Sequence, residues 1–208
     1  MNIMRSHGNL LRWVEGLLWL VAAGTVGLSI FVFAEGKIYQ FYMNRKFEDA
    51  LNTQQLLART RQKTTQSLIS TSASARAAAW PYLGRLQIPR LDMSIMLLDG
   101  IDNRTLRLGI GHIPKTALPG QPGNAGIAGH RDTFFRGLAA IRKDDHISVQ
   151  TLDGEYDYVV DSIRVVNPQA VEVLSDSGHP VLTLVTCYPF HLIGPAPKRF
   201  VVQASLKE

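Results

Sequence analysis

Residues 16–34 (GLLWLVAAGTVGLSIFVFA) contain no charged side chain, and no other feature restricts the N-terminal part of the chain as tightly. At ~1.5 Å rise per residue, a helix of this length comes close to spanning the ~30 Å hydrocarbon core of a bilayer. Trp13 and Trp19 near its start, and Tyr39 and Tyr42 beyond its end, occupy positions where interfacial aromatics gather. The length favours a retained transmembrane anchor over 16–36. The alternative is a cleaved signal peptide, whose apolar region is usually only ~7–15 residues long; Val32-Phe33-Ala34 offers a weak cleavage site. A buried core helix fits poorly, because the run has no polar face. Arg5 and Arg12 precede the span while Lys37, Arg45 and Lys46 follow it, so the flanking charges do not orient it.

The formal net charge of +5 invites a nucleic-acid reading until it is divided along the chain. Residues 1–80 carry nine Lys/Arg against four Asp/Glu, whereas 81–208 carry thirteen of each. A nucleic-acid-binding domain concentrates positive charge on its folded surface, so nucleic acid is excluded as the partner. The basicity belongs beside lipid headgroups. Four regions follow: 1–15 as an N-terminal segment, 16–36 as the span, 37–80 as a membrane-proximal helix and flexible linker, and 81–208 as the folded domain. Within the third, 37–66 has good helix formers with apolar positions at Phe41, Phe47 and Leu51, and the small, aperiodic SLISTSASARAAA (67–79) reads as a tether.

From Trp80-Pro81 the texture changes to short β-type runs between turn signals: GRLQIPRL, SIMLLDG, NAGIAGH, HISVQTLDG, EYDYVVDSIRVV, PVLTLVTC and RFVVQASL. Asp153-Gly154 marks a hairpin between two of them. FFRGLAAI (134–141) is the one helix expected in this region. Such spacing predicts a mostly β barrel or sandwich.

Cys187 is the only cysteine, which rules out an intramolecular disulfide and a CxxC metal site. It ends the run TLVTC, and Pro189 cannot continue a central ladder, so the strand stops beside it. A buried core thiol would fit a mid-strand position better. His130 ends the run AGIAGH; Gly126 and Gly129 weaken a purely structural strand and suit a close approach by another group. A strand-terminal His is the usual candidate for acid/base work near neutral pH. Arg199, twelve residues past Cys187 and at the start of the last run, would alone be a solvated charge. If the three strands are adjacent, thiol, imidazole and guanidinium converge. That set can supply a nucleophile, a proton donor and a stabiliser of carbonyl-oxygen charge.

TLVTC (183–187), with HRD (130–132) upstream and Arg199 downstream, resembles the signature of the sortases. GHRDTFFRGL (129–138) and TLVTCYPF (183–190) are most similar to class D members, and the resemblance covers about residues 81–206. It departs at Lys143-Asp144-Asp145, where related sequences often have Gly before the final Asp. The resemblance implies an eight-stranded sortase-type β-barrel with short helices, preceded by one transmembrane helix. It also implies a cysteine transpeptidase that cleaves an LPxT-type C-terminal sorting signal through a thioester. An amine acceptor, from a peptidoglycan precursor or a pilin lysine, would then take the protein. Cys187 would attack, His130 would serve as general acid and then base, and Arg199 would hold the oxyanion or the substrate backbone. Thr186 and Thr183 would lie on the substrate side; Asp132, grouped with them, would orient the His130 loop or, the favoured alternative, cap the helix after it. No cofactor is implied, and the acidic residues are too scattered to form a calcium site. The implied location is the cell membrane, single-pass, with the N-terminus cytoplasmic and the catalytic domain outside. His112, His146, His179 and His191 are expected at the surface or in loops.

Three other classes compete. An L,D-transpeptidase also uses Cys, His and Arg, but places Ser-x-Gly-Cys close behind its His, whereas here 57 residues separate His130 from Cys187. A membrane-tethered, non-catalytic binding module would keep the barrel and lose the triad, which is present. A secreted thiol hydrolase follows if the N-terminal run is cleaved.

Overall fold

The structure, a computed structural model, describes residues 3–63 and 82–207. The expected tether over 67–79 and the Trp80-Pro81 boundary lie outside the described residues. Helix α1 (Ile3–Lys63) is continuous. The separate membrane-proximal helix expected after the span is thus its direct extension, since residues 37–63 include neither Gly nor Pro to break it. Within the first compact unit, Met1–Tyr39, the apolar side chains from Trp13 to Phe31 that the structure describes are exposed. The helix is long and apolar enough to cross a membrane.

The second unit starts at Gln40, so part of the expected 37–80 linker belongs to the folded domain. Here α1 turns a polar and an apolar stripe onto the β domain. Phe47 is 0% exposed and meets Tyr82 edge-on at 5.4 Å between centroids. Arg85 lies over the Phe47 ring and donates to Asn44 Oδ1 at 2.7 Å and Glu48 Oε1 at 2.6 Å. Gln40 donates to the Leu108 carbonyl at 2.5 Å and accepts from the Met96 amide at 2.8 Å.

The β domain consists of β1 (Gly84–Ile88), β2 (Met93–Asp99), helix α2 (Asn103–Leu108), β3 (Ile110–His112), β4 (Asn124–Ala128), β5 (His146–Thr151), β6 (Glu155–Val166), β7 (Val181–Tyr188) and β8 (Lys198–Leu206). Short 3-10 helices cover Pro89–Leu91, Arg136–Ala140 and Val171–Leu174. The strands close into an eight-stranded barrel in the order β1-β2-β3-β4-β7-β8-β6-β5, with β5 pairing back to β1. Barrel, not sandwich, is the outcome. Alternate residues of seven strands fill the interior: 86/88, 95/97, 125/127, 147/149, 158/160, 182/184 and 202/204. This is the period-2 pattern that the β-type runs carry. The 12-residue β6 serves both β5 and β8, because a bulge between Val160 and Ser162 bends it.

The Asp153-Gly154 hairpin is present, with the Thr151 amide donating to the Gly154 carbonyl at 2.8 Å. The helix expected over 134–141 is a single 3-10 segment, Arg136–Ala140. Two elements had no expected counterpart. The first is β3, whose three residues are too few to show alternation. The second is α2, whose start is fixed by Asp102 accepting from the Arg104 and Thr105 amides.

Only β2/β3 and β4/β7 pair in parallel; the other neighbours are antiparallel. The parallel β4/β7 pair brings the C-terminal ends of two strands distant in sequence to the same rim of the barrel. β8, antiparallel to β7, begins at that rim.

Candidate active site

Cys187 is the second-last residue of β7 and pairs directly with Arg199, the second residue of β8. Directly paired residues on antiparallel strands share a face. Since Leu182 and Leu184 point inward, Cys187 and Arg199 both lie on the outer face at the rim. Across the parallel pair, Ala128 stands beside Val185. The Gly129 amide extends the contact by donating to the Val185 carbonyl at 3.2 Å, and His130 follows two residues after Ala128 as Cys187 follows two after Val185. Neighbouring strands run ~4.8 Å apart, so β4, β7 and β8 span about 10 Å at this rim. His130 is exposed, and Cys187 and Arg199 are half-buried. The Arg199 guanidinium donates to the Lys198 and Ala196 carbonyls at 3.1 and 3.4 Å.

Two glycines in β4 and its extension permit this geometry. A Cβ on Gly129 would sit 2.7 Å from Cδ2 of Phe135 and 3.0 Å from Ile110. On Gly126 it would meet only side-chain tips, the nearest Leu174 Cδ2 at 2.9 Å. The close approach that these glycines suggest is therefore made by the protein's own side chains.

Thr186 points inward, is buried, and donates to the Gly129 carbonyl at 2.7 Å, pinning the residue before His130 to the strand of Cys187. Thr183 is not brought to the site. It is 0% exposed, four residues or roughly 13 Å back along β7, and donates to Asn124 Oδ1 at 2.7 Å. Asn124 in turn donates to the Val173 and Ser175 carbonyls, so this end of β7 lies beneath the 171–175 segment. Asp132 is exposed and does not cap the following helix, which starts at Arg136 with no side-chain cap bond. Of the other histidines, His146, His179 and His191 are exposed. His112 is a correction: it is buried on β3, with Nε2 at 2.9 Å from the Ala117 carbonyl, because the short strand carrying it escaped detection.

Sequence reasoning overlooked Arg131, though it sits inside the HRD motif. Its guanidinium is buried and donates to three main-chain oxygens of the loop joining β7 to β8. Tyr188, Phe190 and Phe200 stack as a cluster at the same rim, with centroids 5.1–6.2 Å apart. The Lys143-Asp144-Asp145 departure is explained by the backbone. Asp144 adopts φ 67°, a left-handed conformation that favours Gly, and buried Asp145 accepts from the Arg142 amide and pairs with Arg90. Hydrogen bonding from Arg90 is the main cause holding the Asp145 carboxyl below the usual range.

Comparison with known proteins places these observations in a family. The model of the sortase domain matches residues 86–207. Sortase D of Bacillus subtilis is 28% identical, the alignment covering 89% of this chain and 94% of that one. Sortase A of Bacillus anthracis is also 28% identical, over 69% of each chain. Among solved structures, a sortase D5 transpeptidase of Clostridium perfringens superposes with TM-score 0.64 at 22% identity, over 84% of this chain and 99% of that one. A Clostridium perfringens sortase C solved with its C-terminal cell wall sorting motif superposes with TM-score 0.56 at 24% identity, over 61% of this chain and 71% of that one.

Proposed function

From the premise that the chain belongs to the sortase family of cysteine transpeptidases, we propose that it is a class D-like enzyme anchored by α1. In this reading it cleaves an LPxT-type sorting signal and joins the upstream protein to an amine. The observation that carries the reading is the direct pairing of Cys187 with Arg199, at the rim where β4, the strand leading into His130, ends beside β7.

The Cys187 thiol passes its proton to His130 as Sγ attacks the carbonyl carbon of the signal's Thr. The carbonyl π electrons move onto oxygen, and the Arg199 guanidinium, on the same outer face, stabilises that charge. His130 gives a proton to the departing amine, the C–N bond breaks, and a thioester joins substrate to Cys187. An acceptor amine, from a peptidoglycan precursor or a pilin lysine, then attacks the thioester and loses its proton to His130. Collapse forms the new amide and releases the thiol. The bound sorting motif in the Clostridium perfringens relative supports a substrate of this class. The reading needs no cofactor. Substrates of this class lie outside the membrane, which puts the N-terminus in the cytoplasm and the barrel outside as a single-pass protein. Thr186 and Asp132 act beside the triad, Thr186 by fixing the backbone before His130. Thr183 contributes by seating β7 beneath the 171–175 segment.

The test is cleavage of an LPxT-type peptide by the full chain in detergent, with hydroxylamine added to trap the thioester. Cys187→Ala is expected to abolish both cleavage and hydroxamate formation while melting like the wild type. A Cys187→Ala variant that still cleaves the peptide overturns the proposal.

A further inference from the structure

We propose that Arg131 is a positioning residue that clamps the β7–β8 loop and thereby holds the guanidinium of Arg199, whose backbone the β7/β8 ladder sets opposite Cys187; this rests on the transpeptidase reading above. Arg131 follows His130 directly, yet unlike that exposed residue it is only 9% exposed. Its guanidinium spreads over the loop, Nη1 donating to the Pro189 carbonyl at 3.0 Å and Nη2 to those of Leu192 and Gly194 at 2.6 and 2.7 Å. Among the described residues it makes no ion pair. A buried charge needs strong polar partners, and here all of them belong to one loop.

Phe190, packed between Tyr188 and Phe200 against the core, anchors the start of that loop, and past it no apolar side chain is buried until Phe200. Residues 191–195 are exposed, and Ile193, between two of the gripped carbonyls, is 98% exposed with no core to bind it. The clamp reaches Arg199 through a stiff path. Gly194, at φ 103°, is followed by Pro195-Ala196-Pro197, whose two prolines have fixed φ. The Ala196 carbonyl at the centre of that stretch accepts from the Arg199 guanidinium. On the other side, the Thr186 hydroxyl fixes Gly129. The segment Gly129-His130-Arg131 is thus tied to β7 before the histidine and to the β7–β8 loop after it. The ladder and Thr186 place the backbones, and the loop on which the Arg199 guanidinium leans is held by one planar fork of donors, which an ammonium cannot reproduce.

Two variants of the full chain in detergent test this. Arg131→Lys keeps the charge and loses the fork. Gly194→Ala loosens the clamp from the loop side, because a Cβ there meets nothing within 4 Å but is strained at positive φ. Hydrogen exchange of residues 189–198 is expected to accelerate about tenfold or more in both, with β4 and β7 amides unchanged. With an LPxT-type peptide, kcat is expected to fall about a hundredfold while KM stays within about threefold, as for an ångström-scale misplacement of a charge-stabilising group. Unchanged loop exchange in both variants overturns the clamp, and so does accelerated exchange with near-normal kcat. If wild-type protein cleaves no sorting peptide, the transpeptidase reading fails, whereas the clamp stands or falls on loop exchange alone.

Discussion

Gly129→Ala is the most informative single substitution, because the structure sets both its cost and its functional reach. The added Cβ would lie 2.7 and 2.9 Å from two ring atoms of Phe135 and 3.0 Å from Ile110. Ordinary carbon contacts begin near 3.5 Å, so something must move by about 0.8 Å. Phe135 and Ile110 are each 0% exposed, and the Phe135 ring cannot swing into solvent. Overpacking of this kind costs about 1–3 kcal/mol. For a chain of this size, about 2 kcal/mol lowers Tm by roughly 4–8 °C. The alternative to strain in the core is displacement of the backbone that leads into His130, and a shift near 1 Å costs about a hundredfold in turnover. The assay pairs urea or thermal unfolding with peptide cleavage, using Gly126→Ala as the comparison. There the nearest atoms are the tips of Leu174, Ile113 and Thr116, which can turn aside, so both losses are expected to be smaller. If Gly129→Ala keeps wild-type stability and turnover, or if Gly126→Ala is the worse of the two, the packing argument is refuted.

Three further outcomes are expected. Phe47→Ala, which empties the fully buried contact of α1 with Tyr82 and Arg85, should cost about 3–5 kcal/mol in chemical denaturation, with the barrel's β-sheet signal retained near neutral pH. Asp144→Gly should stabilise the chain by about 0.5–1 kcal/mol, since a left-handed φ of 67° disfavours a side chain; a lower Tm would show that the Asp side chain compensates. Asp145, whose carboxyl is depressed chiefly by the hydrogen bond from Arg90, contributes stability that is present above the unfolded carboxylate value of about 3.9 and lost as pH falls through its lower folded value. Asp145→Asn should therefore destabilise at pH 7 and flatten the acid limb below about pH 4, as read from Tm against pH.

The strand runs were legible in the sequence because β-barrel interiors impose a period of two, and pairs such as 182/184 and 202/204 keep it without interruption. The candidate site residues stood out for a related reason: Cys187, His130 and Arg199 each lie at a run's end, marked by Pro189, by paired glycines, or by position. What had no local signal was lost. β3 is three residues long, so His112 looked like a loop residue and is buried. Thr183 belongs to the same motif as Cys187, yet its hydroxyl is committed to Asn124, a strand away. Arg131 looked like any charged residue after a histidine, because its acceptors are carbonyls about sixty positions downstream, and main-chain oxygens leave no trace in composition.

The sequence alone determined which residues are candidates to react and that an uncharged span precedes a mostly β set of strands, since both depend on residue type and short-range period. Only the tertiary structure decided that β4 runs parallel to β7 and β8 antiparallel to it. Strand order and direction arise from contacts between residues far apart in the chain, and it is that pairing which brings three separate strand ends to one rim of the barrel.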